Sequence, residues 1–313
     1  MRNCIGIDVG GTTIKFGLFR EDGHLLEKWE IPTKTEGRKE KLYGDIAASV
    51  RQTLVGKGIS RVNLAGIGVG IPGPVLPDGK ISALVNLGLC DLNLNTELPE
   101  YLDGVKVRAV NDANAAALGE LWQGGGKDYD SLVLLTLGTG LGCGIVENGR
   151  LVAGSFGMGG ELGHIIMNPD EPEACNCGGH GCLEQYASAT GIARMGRRYL
   201  ESCDTASVMR GIGELTAKDV LDAAKAGDPL AMEAVESSMR YLGWAMAHVS
   251  HMTDPQCFVI GGGVSRAGRY LLDVICRHYE SFIHIQKPQA KVCLATLGND
   301  AGIYGAARLI LSD

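Results

Sequence analysis

The sequence predicts an α/β protein built from two related halves, and three observations lead there. Two stretches, DVGGTTIKFGLF at 8–19 and TLGTGLGCGIVE at 136–147, share one layout of strand, Gly/Thr turn and strand. Two others, VKVRAVNDANAAALGEL at 105–121 and PQCFVIGGGVSRAG at 255–268, run from an apolar strand straight into a helix start, as the strands of layered α/β sheets do. Finally, 313 residues, 45% of them hydrophobic, are enough to bury cores in two domains.

A net charge of −7 argues against a surface whose main work is gripping nucleic acid or anionic lipid. No apolar run reaches the roughly eighteen residues of a membrane span. Met1 is followed almost at once by CIGIDVG, with no charged leader and apolar signal segment. These features predict a cytoplasmic protein with neither nucleic acid nor membrane as partner. Ten cysteines are too few and too unevenly spread for a secreted disulfide framework. Seven of them, Cys4, Cys90, Cys143, Cys203, Cys257, Cys276 and Cys293, stand singly and mostly read as small buried hydrophobes.

Taken in order, residues 3–9 form a strand ending in the acid Asp8, and Gly10, Gly11, Thr12 and Thr13 turn the chain into a second strand carrying Lys15. The amides of Gly11, Thr12 and Thr13 can form an anion-binding concavity or merely close a tight hairpin. The turn at 10–13 matches neither the P-loop spacing nor GxGxxG. A third strand spans about Leu26–Ile31, and Leu42, Ile46, Val50 and Leu54 recur every fourth residue, the mark of an amphipathic helix over 39–56. LAGIGVGIPG reads as a buried strand stopped by proline and glycine. Asn86 follows in a polar break. Asp112, beside Asn111, stands where a strand's carboxyl end meets a helix start, the place open α/β sheets offer to ligands. It can serve as the helix cap or accept the proton of a substrate hydroxyl. The second Gly/Thr turn, Gly138, Thr139 and Gly140, leads to a hairpin at Asn148-Gly149. Helices are expected over 187–200, 216–227, 229–252 and 271–282, and Gly262, Gly263 and Val264 form a strand-to-helix turn able to pass under a flat base. A last strand precedes a small-residue helix at the C-terminus.

The densest stretch is GGELGHIIMNPDEPEACNCGGHGCLEQ at 159–185. His164, Cys175, Cys177 and Cys182 supply one nitrogen and three sulfurs, a set suited to tetrahedral Zn²⁺. Cys175 and Cys177 are only one residue apart, closer than a usual zinc pair, and His180 is a second candidate nitrogen. Redox thiols and metal-free cysteines are the other readings. Glu161 and Glu184 bracket the stretch and are suited to accept hydrogen bonds from vicinal hydroxyls.

Together these pieces suggest a phosphoryl transfer, with Asp112 as base, two Gly/Thr turns holding nucleotide phosphates with Mg²⁺, and Asp8 holding a magnesium water. DVGGTTIK, NDANAAALGE, TLGTGLGCGI, GGELGH and CNCGGHGCLEQ, in this order, resemble the ROK family of bacterial sugar kinases and repressors over the whole chain. The resemblance implies an actin-like ATPase and hexokinase-like (ribonuclease H-like) duplicated fold, with two α/β domains around an ATP and sugar cleft. A small domain would hold 1–116 and 299–313, and a larger one 117–298 with the cassette. It puts the base on Asp112 and sugar contacts on Asn86, Asn111, Asp112, Glu161, His164 and Glu184. His164, Cys175, Cys177 and Cys182 match its structural zinc ligands, leaving His180 a bystander. The loops at 10–13 and 138–140 correspond to its phosphate loops, and 262–264 to its adenosine region. ATP with Mg²⁺, a hexose, and a homodimer or homotetramer are the implied partners.

Repressors of that family carry a winged-helix domain before the first phosphate strand, which here begins by residue 4. The motif forms are most similar to the family's glucokinases, which phosphorylate the 6-hydroxyl of glucose. NLGLCDLNL after Asn86 lacks the aromatic common there, so N-acetylmannosamine, N-acetylglucosamine, fructose and allose remain alternative substrates. A non-enzymatic sugar-binding regulator is the contrasting class, disfavoured by the retained Asp112.

Overall fold

The computed structural model describes residues 2–35, 38–84, 87–285 and 290–312. Contacts divide the chain into two units, one of 1–130, 144–160 and 297–313, the other of 131–143 and 161–296.

The first unit is organised on strands β1 (Asn3–Val9), β2 (Thr13–Arg20), β3 (Leu25–Pro32), β4 (Leu64–Ile71) and β7 (Val107–Asn111), in the order β3-β2-β1-β4-β7. β1, β4 and β7 run parallel, while β2 and β3 return antiparallel, so that Asp8 pairs with Lys15. Side chains alternate across the sheet as the strand pleat requires. Ile5, Ile7, Phe16 and Leu18 join the core under helix α1 (Lys39–Gly56), through its Leu42, Ile46, Val50 and Leu54. Cys4 and Phe19 face the other way, onto Ile303, Ala307 and Ile310 of α9 (Ala301–Leu311). Small residues let α9 lie backbone against backbone: a Cβ on Gly68 would fall 1.7 Å from the Ala306 carbonyl oxygen. Helix α3 (Asp112–Gln123) packs beside it, and a Cβ on Gly305 would fall 1.5 Å from the Ala115 oxygen.

A hairpin of β5 (Lys80–Leu84) and β6 (Leu89–Asn93) and the short helix α2 (Leu94–Tyr101) complete this unit's core. α2 escapes the periodicity because it is eight residues long and contains Pro99; the Asn93 side chain starts it by accepting from the Thr96 amide.

The second five-stranded sheet has the order β10-β9-β8-β11-β12, from β8 (Leu132–Leu137), β9 (Leu141–Glu147), β10 (Arg150–Leu151), β11 (Cys257–Gly261) and β12 (Lys291–Leu294). β8, β11 and β12 are parallel. The β9–β10 turn has Asn148 and Gly149 at φ 49° and 74°, the left-handed pair of a tight hairpin. Helices α4 (Glu184–Ala187), α5 (Ala189–Ser202), α6 (Ala217–Lys225), α7 (Pro229–Thr253) and α8 (Arg269–Ser281) belong to the second unit. α7 is started by the Asp228 side chain, with Pro229 in the first turn, and stops at Asp254 in the left-handed region.

Of the single cysteines, Cys4, Cys143 and Cys257 are buried, but Cys90 and Cys203 are exposed. Cys257 and Cys293 do not stand apart, since their Sγ atoms approach to 3.4 Å across neighbouring strands.

Candidate active site and metal centre

In the first unit the parallel strands deliver two acids at their carboxyl ends, Asp8 on β1 and Asp112 just after β7. The helix cap is Asn111, whose Oδ1 accepts from the amides of Ala113 at 2.9 Å and Asn114 at 3.1 Å. Its Nδ2 donates to the Gly73 carbonyl at 3.1 Å. Because the neighbour caps the helix, Asp112 is the first helical residue; Oδ1 accepts from the Ala113 amide at 2.9 Å, and the residue stays exposed. Protein mass packed around the carboxyl still desolvates it and raises its pKa above the ordinary aspartate value, against the opposing hydrogen bonds. Asp8 is pushed up to about 6, chiefly by burial, with Lys15 opposing and the charge of Asp112 adding to the rise. Lys15 Nζ donates to the Asn299 carbonyl at 3.2 Å. A side chain on Gly302 would strike the Asp8 carboxylate at 2.8 Å, so this glycine, which the sequence did not single out, keeps the acid's place open.

The Gly10–Thr13 turn is closed by the Gly10 amide on the Thr13 carbonyl at 2.9 Å and braced by the Thr33 hydroxyl on the Gly10 carbonyl at 2.7 Å. Asn86 lies outside the described residues.

In the second unit the donor atoms of His164, Cys175, Cys177 and Cys182 all lie within 4.8 Å of one another. Cys177 Sγ is 3.6 Å from Cys182 Sγ, and His164 Nδ1 is 4.0 Å from Cys175 Sγ. Zinc–sulfur bonds of about 2.3 Å in a tetrahedron put sulfurs about 3.8 Å apart, so the set fits such an ion. His180 instead meets the Glu171 carbonyl through Nδ1 at 3.0 Å. Gly181, at φ 74°, lies where a Cβ would be 1.7 Å from the Asn168 oxygen, so only glycine closes the loop there.

The cassette is pinned by a group that sequence reasoning missed. Glu171, its side chain fully buried, accepts from Arg198 at 2.5 and 2.9 Å, from the Tyr186 hydroxyl at 2.6 Å and from Arg194 at 3.4 Å. Arg198 first, then Tyr186, hold its pKa down at about 2 despite burial. The pairing joins the loop to α5 across 27 residues, too far for any spacing rule to signal.

Glu184 joins the cassette to the second Gly/Thr turn. Its Oε1 accepts from the Cys175 thiol at 3.0 Å and lies 3.8 Å from His164 Nδ1, while Oε2 faces the Leu141 amide at 3.4 Å. A Cβ on Gly140 would come within 2.7 Å of that oxygen. The turn is also tied to the start of α5, with the Gly138 carbonyl accepting from the Ala189 amide at 2.8 Å and the Thr139 carbonyl from the Thr190 hydroxyl at 2.9 Å. Glu161 is half-buried just before the single turn Leu162–His164.

Gly262 sits at φ 80°, where a Cβ would be 2.4 Å from the Leu137 oxygen, and Val264 is buried. Beside them opens a cavity of about 350 Å³ lined by Gly263, Val264, Arg266, Thr216, Lys218 and Leu221, among others. The α6 part of this wall was legible only as a helix cap at Thr216, whose capping box with Asp219 is present.

The chain is similar to known proteins over nearly its whole length. The model of the ROK family matches residues 4–313. A glucokinase of Halalkalibacterium halodurans is 42% identical over 98% of this chain and 94% of its own length. Two solved structures are similar throughout. A ROK hexokinase from Thermus thermophilus has a TM-score of 0.83 at 32% identity, covering 98% of this chain and 97% of that one. A ROK family glucokinase from Streptomyces griseus, solved with glucose and AMPPNP, has a TM-score of 0.75 at 33% identity over 98% of each chain. The expected two-domain actin-like and hexokinase-like fold agrees with both likenesses. Matched end to end by the family model and by relatives of this identity, the chain belongs to the ROK family.

Proposed function

We propose that the protein transfers the γ-phosphoryl group of ATP to the 6-hydroxyl of a hexose, with glucose as the preferred acceptor. The observation that carries this reading is Asp112, an accessible carboxylate at the end of β7 relieved of capping duty by Asn111. Its raised pKa brings the group nearer to neutrality, where a general base works best. Asp112 accepts the proton of the attacking hydroxyl and orients its oxygen in line with the γ-phosphorus. The amides of 10–13 and 138–140 hold the phosphates, and Gly262, Gly263 and Val264 support the adenosine. Lys15 adds positive charge on the first turn's strand, and Asp8 is the acid suited to a water of magnesium, which neutralises charge on the phosphates. The half-buried Glu161, together with Asn86, Asn111, His164 and Glu184, is assigned to the sugar hydroxyls.

His164, Cys175, Cys177 and Cys182 would hold one zinc ion with a structural part, since four protein donors leave no open position. The likeness to glucokinases named for that activity supports the choice of sugar. A small domain of 1–116 with 299–313 and a larger one of 117–298 remain our division for the catalytic halves. Among the described residues no helix is long and apolar enough to cross a membrane, and we assign the protein to the cytoplasm. A homodimer or homotetramer remains our expectation, and Trp244 of α7, 38% exposed, which stacks on the half-buried Phe282 just after α8 at 6.0 Å, is an apolar residue such an assembly could cover.

ADP release measured with glucose, N-acetylmannosamine, N-acetylglucosamine, fructose and allose tests the reading. Turnover highest with glucose is expected, and no turnover with any of them overturns it. A non-enzymatic regulator would bind sugar with no turnover for Asp112→Asn to remove.

A further inference from the structure

Both Gly/Thr turns share one construction, and sequence spacing marks neither of the two threonines that complete it. In the first unit the Thr33 hydroxyl, just past the end of β3, donates to the Gly10 carbonyl at 2.7 Å, and the Thr33 amide donates to the Thr12 carbonyl at 2.8 Å. In the second unit, at the start of α5, the Thr190 hydroxyl donates to the Thr139 carbonyl at 2.9 Å and the Ala189 amide to the Gly138 carbonyl at 2.8 Å. Each turn thus has two carbonyls drawn towards a neighbouring element, one by a backbone amide and one by a threonine hydroxyl. A trans peptide unit is planar, with its N–H opposite its C=O, so a carbonyl drawn to one side turns the next residue's amide to the other. The amides turned in this way belong to Gly11 and Thr13 in the first turn and to Thr139 and Gly140 in the second. A hydrogen-bonded pair of an antiparallel hairpin ordinarily exchanges both of its N–H···O bonds. Among the described residues the Gly10 amide alone closes that pair, on the Thr13 carbonyl at 2.9 Å, while the Gly10 carbonyl goes to Thr33. The Thr13 amide is thereby kept for another acceptor.

We propose that Thr33 and Thr190 are positioning residues for the phosphoryl donor, one in each unit. Their hydroxyls hold turn carbonyls back, so that amides rather than carbonyl oxygens face the phosphates. The inference rests on the kinase reading, in which these turns hold the phosphates of ATP, and adds to it two residues outside the turns. A carbonyl oxygen free to swing towards a polyphosphate would repel it where an amide attracts it. Amides fixed before the anion arrives need no reorganisation when it binds.

Isothermal titration of the full chain with AMPPNP and Mg²⁺, joined to steady-state kinetics, is the test. Thr33→Val and Thr190→Val keep the outline of each side chain and remove its hydroxyl. Each should weaken AMPPNP binding and raise KM for ATP roughly 2–10-fold, the loss of one hydrogen bond, with KM for glucose unchanged. Thr33→Ser and Thr190→Ser, which keep the hydroxyl, should bind AMPPNP as the native chain does. Valine variants with native AMPPNP affinity, serine variants as weak as the valine ones, or a rise in KM for glucose equal to that for ATP would each overturn the assignment. A native chain that binds no AMPPNP would remove the kinase reading itself, and this inference with it.

Discussion

Replacing Glu171 by glutamine changes almost no volume and removes one charge from the junction between cassette and α5. In the native chain this carboxylate is fully buried and faces Arg198, Tyr186 and Arg194. Its pKa falls from 4.5 to about 2, led by the Arg198 hydrogen bond. That fall corresponds to about 3 kcal/mol of preference for the ionised form, in line with the roughly 3–5 kcal/mol cost of breaking a buried ion pair. Because the folded value is depressed, the contribution is complete above about pH 4.5 and is lost as the pH falls towards 2. Glu171→Gln should therefore lower the melting temperature at pH 7 by roughly 6–12 °C for a unit of this size. The difference from the native chain should narrow as the pH drops below about 4.5. Differential scanning calorimetry at pH 7 and pH 4 measures both. The variant should also lose zinc faster to a chelator, because among the described residues the ion pairs that tie the loop bearing Cys175 to α5 would be left to Glu173. A melting temperature within about 1 °C of the native value at pH 7 would refute the assignment of the pair as the loop's anchor.

Asp112→Asn should cut turnover roughly 10²–10⁴-fold with glucose binding by calorimetry largely kept, and an unchanged kcat would remove the base. In the native enzyme the acid limb of kcat/KM should lie above the ordinary aspartate value, since both Asp112 and Asp8 are raised and the active form needs the deprotonated base. Elemental analysis should find about one zinc per chain, and its removal should lower melting temperature and glucose affinity together; protein without metal but with full stability would contradict the centre. Gly262→Ala should cost roughly 1–3 kcal/mol of stability for the glycine-only backbone region it must occupy and raise KM for ATP. An unchanged KM would detach that turn from the nucleotide.

The repeated hairpins and the strand-to-helix junctions were legible because their signals are local: an acid, a glycine pair, a β-branched run. The α1 periodicity marked 39–56 without ambiguity, since four apolar residues at intervals of four permit one face only. The zinc ligands were visible as residue types, but which histidine converges is a three-dimensional fact, decided by His180 meeting the Glu171 carbonyl instead. Asn111 and Asp112 were both marked, yet the division of labour between them follows from which carbonyl-bearing side chain reaches the Ala113 and Asn114 amides. Glu171 and Gly302 left no trace in spacing, because each meets its neighbours across long stretches of chain.

The burial of α9 against β1 and β4 also bears on synthesis. The first unit's sheet emerges from the ribosome within the first 111 residues, but the surface made by Cys4 and Phe19, touched soon after by Trp122 of α3, lacks the rest of its cover until Ile303, Ala307 and Ile310 arrive. At about 5–20 residues per second, some 200 residues separate the two events by roughly 10–40 s. During that interval an apolar sheet face waits only partly covered while the second unit, whose stretch ends at Thr296, is translated and can close first. The nascent chain is thus most exposed to chaperone capture at its oldest segment, and a truncation that removes α9 would leave that segment permanently without its cover.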